Sequence, residues 1–126
     1  MDVFKIVGGN RLTGSVDVKG SKNAALAVMS SVLLAEGVTV LRNVPEVSDT
    51  RIKAGLLARF GARVEWVEET LYIDCSNLHS AMLDDETVRL IRTSFYMLGP
   101  LLARIGEVKL PAPGGCRIDA LSLIHI

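Results

Sequence analysis

Aromatic side chains are scarce in this 126-residue chain: Phe4, Phe60, Trp66, Tyr72, Phe95 and Tyr96 are the whole set, although 49% of the residues are hydrophobic. Leu, Val, Ile and Ala must therefore fill the interior, as they do in layered α/β packing. Cysteine is scarcer still. Cys75 and Cys116 are too few for a disulfide framework or a cysteine-based zinc site, and with only His79 and His125 as imidazoles no structural metal is expected. Charge of one sign is missing as well: fourteen basic and fourteen acidic residues cancel. That balance removes the electrostatic footprint of a binder of nucleic acid or of anionic membranes, and leaves a small molecule as the expected partner. Long hydrophobic runs are absent, since Ala24 to Ala35 is broken by Ser30 and Ser31 and falls short of the roughly 20 residues that cross a bilayer. The start, Met1-Asp2-Val3-Phe4-Lys5, has no basic and apolar secretion signal, so a cytoplasmic setting is expected.

What is present reads as one domain or a piece of a larger one. Phe4 to Val7 and Leu12 to Val18, around Gly8-Gly9-Asn10, have the pattern of a hairpin-like pair of short strands. Lys22 to Glu36 predicts a helix stopped by Gly37, apolar nearly all round from Ala24 and therefore buried between layers of sheet. Val38 to Leu41 predicts a strand. Ser48 or Asp49 then caps a second helix with Ile52, Leu56 and Phe60 inward and Arg51, Lys53 and Arg59 pointing elsewhere, ended by Gly61. Arg63 to Val67 and Leu71 to Cys75 predict a hairpin. A third helix from Asp84 or Asp85 carries the stripe Val88, Ile91, Phe95, Leu98 and Leu102, with a kink at Gly99-Pro100, and a last strand covers Glu107 to Leu110.

An internal echo runs through these elements. Leu33-Leu34-Ala35-Glu36-Gly37-Val38-Thr39-Val40-Leu41, followed by Pro45, is answered by Leu101-Leu102-Ala103-Arg104-Ile105-Gly106-Glu107-Val108-Lys109-Leu110, followed by Pro111. Each is a helix end, a glycine stop and a strand running to a proline turn, as in a repeated α/β architecture.

Three places can carry chemistry. Lys22 and Asn23 stand at the first turn of a helix, where a cation and an amide join unpaired N–H groups and a positive dipole end, a setting for a phosphate or carboxylate. The plain alternative is a solvated lysine beside a turn. Cys116 follows Gly114-Gly115 and precedes Arg117, where the thiol can be exposed and its pKa lowered; a merely structural cysteine is the alternative. Cys75 alternates with Leu71 and Ile73 and reads as a core filler. Arg92 lies off the apolar stripe and can grip an anion, or be an ordinary surface arginine. Asp84-Asp85-Glu86 reads as a helix start rather than a metal site.

Gly20-Ser21-Lys22-Asn23-Ala24-Ala25-Leu26, Leu33-Leu34-Ala35, Asn43-Val44-Pro45, Arg92-Thr93-Ser94, Leu98-Gly99-Pro100-Leu101 and Pro113-Gly114-Gly115-Cys116 together resemble one family. They are similar to the amino-terminal part of the UDP-N-acetylglucosamine 1-carboxyvinyltransferases, enolpyruvyl transferases of peptidoglycan synthesis. The likeness runs from about Phe4 to Ile118. The resemblance implies an inside-out α/β barrel built from βαβαββ repeats, in two lobes and here truncated. Residues 1–21 would belong to the distal lobe and residues 22–118 to a partial catalytic lobe. It implies transfer of the enolpyruvyl group of phosphoenolpyruvate to the 3′-hydroxyl of UDP-N-acetylglucosamine, without a cofactor or metal. Lys22 would hold phosphoenolpyruvate with Asn23 orienting the reacting groups, and Arg92 would belong to the sugar-nucleotide site. Cys116 would be the general acid, also the thiol alkylated by fosfomycin. The second lobe, a catalytic carboxylate and further arginines are missing, so the chain alone is expected to be inactive.

Residues 119–126 depart from the resemblance. The family pattern calls for Gly-x-Arg-Pro after Ile118, where this chain has Asp119-Ala120-Leu121-Ser122-Leu123-Ile124-His125-Ile126, and the expectation is that the homology stops near Ile118. A non-catalytic module binding a small anion at Lys22 is the alternative of a different class. A fragment of the related 5-enolpyruvylshikimate-3-phosphate synthase is a third reading, opposed by the Gly-Gly-Cys loop.

Overall fold

The computed structural model describes residues 3–79, 86–112 and 114. Helix α1 (Lys22–Ser31) tightens into a 3₁₀ turn (Val32–Leu34) before strand β1 (Val38–Leu41), and helix α2 (Ser48–Arg59) leads into strands β2 (Arg63–Val67) and β3 (Thr70–Asp74). Two 3₁₀ segments, Glu86–Leu90 and Arg92–Met97, then precede helix α3 (Leu98–Ile105). The sheet order is β1-β3-β2, with β3 antiparallel to both neighbours. β1 and β2 are thus parallel, joined through α2, with β3 between them.

Period-two alternation gives this sheet one packed face. Leu71, Ile73 and, one step beyond the strand, Cys75 are fully buried. Thr39 and Leu41 lie beside Ile73 and Leu71 on one flank, and Val64 and Trp66 lie beside the same two on the other. Leu56, Leu57 and Phe60 of α2 join this cluster, as do Met29, Val32 and Leu33 from α1 and its 3₁₀ turn and Met97 and Leu101 from the C-terminal helical segment. The opposite face, with Val38, Arg63, Glu65, Tyr72 and Asp74, lines a shallow open depression.

Several sequence expectations need correction. The hairpin over Phe4 to Val18 is absent: Val3–Lys19 contains no strand, and its apolar residues, Phe4, Ile6, Val7, Leu12, Val16 and Val18 among them, stand 78–93% exposed. Nothing among the described residues covers or pairs with them. Helix α1 ends at Ser31 rather than Glu36, and its burial is one-sided, through Leu26, Met29 and Ser30, while Ala24, Ala27 and Val28 face outward. It packs on α2 and the Arg92–Met97 segment instead of lying between sheets. Lys53, expected on the outer face of α2, is fully buried.

The third helix also differs. Its start at Asp84 or Asp85 lies outside the described residues, and both Glu86–Leu90 and Arg92–Met97 are wound as 3₁₀. The buried set becomes Val88, Ile91, Ser94, Met97 and Leu101, close to the three-residue period of that winding, leaving Phe95 and Leu102 exposed. Pro100 falls in the first turn of α3, where its missing N–H costs little, so the break lies before it. The strand over Glu107 to Leu110 is reduced to a single bridge residue, Lys109.

The internal echo has a counterpart in space. Leu33 and Leu101 are fully buried, Leu34 and Leu102 half-exposed, and Gly37 and Gly106 both adopt left-handed backbone, at φ 81° and 87°. The two helix ends pack on each other, and the Arg104 guanidinium donates to the carbonyls of Ala35 at 2.8 Å, Leu34 and Cys75. Truncation should therefore separate the paired leucines. Leu33→Ala and Leu101→Ala should each cost about 2–5 kcal/mol, and Leu34→Ala and Leu102→Ala no more than about 0.5 kcal/mol, by denaturant unfolding of a chain that includes these residues. Equal costs within either pair would refute the one-sided packing.

Candidate functional site

The glycine before α1 is required by a close approach. The Gly20 N–H donates to Asn43 Oδ1 at 3.0 Å, and a Cβ on Gly20 would lie 1.8 Å from the Asn43 carbonyl oxygen. Asn43 itself is left-handed, at φ 55°, a conformation asparagine tolerates better than most residues. This contact joins two of the motif segments, Gly20-Ser21-Lys22-Asn23 and Asn43-Val44-Pro45. Ser21 caps α1, its Oγ accepting from the Ala24 N–H at 3.4 Å. Lys22 and Asn23 are then the first two residues of the helix, both exposed.

The head of α2 is set down beside them. Its first turn is held from within by Thr50, whose Oγ1 accepts from the Val47 N–H at 3.1 Å and donates to the Pro45 carbonyl at 2.7 Å. Asp49 follows Ser48 in that turn, and its Oδ2 receives the Lys22 ammonium at 2.7 Å. Both side chains keep contact with solvent, 48% for Lys22 and 32% for Asp49. A lysine at a helix N-terminus opposes the helix dipole, and here a carboxylate from the neighbouring helix supplies the compensation. No signal in the sequence points to Asp49, because only the fold brings a residue 27 positions along the chain to Lys22.

Alongside α1, in a separate place, runs a cleft of about 280 Å³ lined by Ser21, Ala24, Ala25, Val28 and residues 40–44. It is the uncovered flank of the helix, with Asn43 and Ser21 at its polar end.

Arg92 opens the second 3₁₀ segment, exposed and off the buried stripe as expected. That segment is gripped from inside the core. Lys53 Nζ, fully buried, donates to the Thr93 carbonyl at 2.6 Å. Burial holds its ammonium pKa down to about 7. The sequence pattern puts Lys53 outward because a lysine on an otherwise apolar helix face is the exception. Cys116 lies outside the described residues. At Gly114 a Cβ would stand 1.8 Å from the Arg89 carbonyl oxygen, so only glycine fits there against the first 3₁₀ segment. Cys75 is a free, fully buried thiol whose pKa is raised by burial, as befits a core filler. Among the described residues no group of histidine, cysteine and carboxylate side chains could hold a metal ion, and no helix is long and apolar enough to cross a membrane.

The head of α1 thus presents a solvent-facing cation, an adjacent amide and a half-exposed carboxylate from the neighbouring helix. Comparison with known proteins gives the chain a family. The sequence pattern described as EPSP synthase (3-phosphoshikimate 1-carboxyvinyltransferase) matches residues 6–120, and the chain belongs to that enolpyruvyl transferase family. Within it, a protein of Prochlorococcus marinus (strain MIT 9313) named UDP-N-acetylglucosamine 1-carboxyvinyltransferase is 42% identical over 122 residues, covering 97% of this chain and 28% of the relative. A protein of the same name from Desulforapulum autotrophicum is 44% identical over 120 residues, covering 95% of this chain and 29% of the relative. The fold matches the crystal structure of the enolpyruvyl transferase NikO from Streptomyces tendae with a TM-score of 0.74 and 29% identity, covering 83% of this chain and 25% of that one. The chain thus spans between a quarter and a third of the length of these relatives.

The buried Lys53 gives stability a pH dependence. Unfolded, the amine keeps its proton up to about 10.5; folded, it releases it near 7. Between those values the unfolded state binds more protons, so stability should rise with pH, by up to about 1.4 kcal/mol per unit. Lys53→Met should flatten that slope in unfolding curves recorded from pH 7 to 10, and an unchanged slope would show that another group causes it.

Proposed function

We propose that this chain is the phosphoenolpyruvate-binding, amino-terminal part of a UDP-N-acetylglucosamine 1-carboxyvinyltransferase. The observation that carries the reading is its identity of about two in five residues, over nearly its whole length, with relatives of that name. The exposed Lys22–Asp49 pair at the head of α1 supports it.

In this reading the Lys22 ammonium leaves Asp49 for the phosphate of phosphoenolpyruvate, adding its charge to the N–H groups of the first helical turn. Asn23 orients the reacting groups, and Arg92 takes part in holding the sugar nucleotide. The Cys116 thiol gives its proton to the methylene carbon of phosphoenolpyruvate, which makes the phosphate-bearing carbon an oxocarbenium-like centre. The 3′-hydroxyl oxygen of UDP-N-acetylglucosamine bonds to that centre and loses its proton. A proton then leaves the new methyl group as the carbon–oxygen bond to phosphate breaks, restoring the double bond and releasing phosphate. The remainder of the enzyme supplies the second lobe, a carboxylate for proton transfer and further arginines. Residues 1–21, whose described apolar side chains stand uncovered, belong in this reading to the distal lobe, residues 22–118 to the catalytic lobe of an inside-out barrel, and residues 119–126 to a tail that departs from the family. The setting in this reading is cytoplasmic.

Two measurements test the reading. Asp49 competes with the substrate anion for Lys22, so Asp49→Asn should tighten phosphoenolpyruvate binding by a factor of roughly 2–5, the worth of a half-exposed ion pair, and Lys22→Ala should remove it. Weaker binding in Asp49→Asn would mean that the carboxylate assists the site instead. Incubation with fosfomycin followed by peptide mass analysis should place an adduct on Cys116 and none on the buried Cys75. Labelling of both thiols alike would deny the Cys116 loop any special reactivity and sink its role as the acid.

A further inference from the structure

The Arg92–Met97 segment is a 3₁₀ helix of six residues, preceded by another of five over Glu86–Leu90. Runs beyond three or four residues are uncommon, because the hydrogen-bond geometry is poorer than in an α-helix. Such winding persists where more than its own backbone bonds hold it, and two side chains add to them here, one from within the segment and one from outside. The Ser94 hydroxyl is buried and donates to the Ile91 carbonyl at 2.8 Å, beside the Ser94 N–H at 3.3 Å. From across the core, Lys53 Nζ reaches the Thr93 carbonyl at 2.6 Å, linking positions 40 apart.

Lys53 occupies a place where an apolar residue would do the packing. The buried face of α2 is Thr50, Lys53, Ala54, Leu56 and Leu57, and of these only Lys53 brings a charge into the interior. Removing an ammonium from water is unfavourable unless a partner compensates. The Thr93 carbonyl is the acceptor that the structure provides. Winding decides which side chains turn outward. The 3₁₀ form buries Ile91, Ser94 and Met97 and exposes Arg92 and Phe95, whereas the α-helical stripe that the sequence carries would bury Ile91, Phe95 and Leu98.

We propose that Lys53 is a positioning residue: its hydrogen bond to the Thr93 carbonyl holds Arg92–Met97 in the 3₁₀ winding and so sets where the Arg92 guanidinium stands. The consequence for catalysis rests on the reading of Arg92 as a sugar-nucleotide contact. The winding itself does not.

Nuclear magnetic resonance of the 126-residue chain separates the two. In the unaltered chain the Lys53 Nζ protons should exchange slowly and lie close to Thr93; exchange as fast as that of exposed lysines would overturn the proposal without any variant. Lys53→Met and Lys53→Leu both remove the donor while leaving an apolar side chain. In either, provided the β1–β3 signals persist, the contacts between residues i and i+2 across 92–97 should give way to i, i+4 contacts. The Ser94 amide should exchange roughly tenfold faster, the worth of one hydrogen bond to a charged group. A folded variant that keeps the 3₁₀ contacts overturns the proposal. Titration with UDP-N-acetylglucosamine reads the functional premise separately: rewinding without any change in the sugar-nucleotide response leaves Lys53 as the holder of the winding and removes Arg92 from that site.

Discussion

Everything in this fold leans on β3. Among the described residues it is the only strand bonded on both edges, antiparallel to β1 and to β2, and its inward side chains Leu71 and Ile73, with Cys75 just after, are fully excluded from water. Because the sheet is packed on one face alone, the inward residues of the outer strands can be buried only by lining up with those of β3 in register. Thr39 and Val64 flank Ile73; Leu41 and Trp66 flank Leu71. A slip of one residue would turn all of them to solvent. The same strand anchors the chain's other layers, since α2 lies over the row it organises and Arg104 of α3 ties the carbonyl of Cys75 to that of Ala35.

From that anchor the site is built in two steps. The sheet fixes β1, and the end of β1 presents Asn43 in a left-handed conformation against Gly20, which fixes where α1 begins. The turn after β1 also starts α2, through Thr50 bonded to Pro45. Two helix heads far apart in the chain are consequently set against one short stretch, Asn43 to Thr50, and Lys22 meets Asp49 there. The site is a product of loop geometry at the sheet's end, the usual place for function on a rigid scaffold. Among the described residues the outer flank of α1 is bare, and the helix is covered on one side by α2 and the Arg92–Met97 segment.

Local signals were legible in the sequence where a side chain's own neighbours decide its fate. The turn of Asn43-Val44-Pro45, the strand Val38–Leu41, the hairpin Arg63–Asp74 and the buried Cys75 follow from alternation and turn chemistry. The Lys22-Asn23 position at a helix head was readable for the same reason. What escaped depends on residues far away in the chain. Lys53 is buried because a carbonyl 40 residues on accepts its proton, and no pattern within α2 announces this. The 3₁₀ winding was hidden by an apolar stripe equally suited to an α-helix, with the choice made by tertiary contacts. The first strands failed for the opposite reason: Phe4 to Val18 alternates well enough, but a strand needs a partner, and none is present among the described residues.

The two lysines show opposite uses of one side chain. Lys53 is sealed in the core, where its contact to Thr93 cannot be exchanged for water without opening the packing around it. Lys22 is half-exposed, and an ion pair in such a setting is worth no more than about 1 kcal/mol because water screens it and the side chains lose freedom to form it. In the proposed function, binding of a phosphate at the helix head therefore has little to overcome, and it gains a charge-assisted contact together with the N–H groups of the first turn. A buried Lys22 would have made a stronger structural link and a poorer receptor. The weakness of the Lys22–Asp49 pair is thus what the proposed exchange for an anion requires, whereas the burial of Lys53 suits it to holding a segment still.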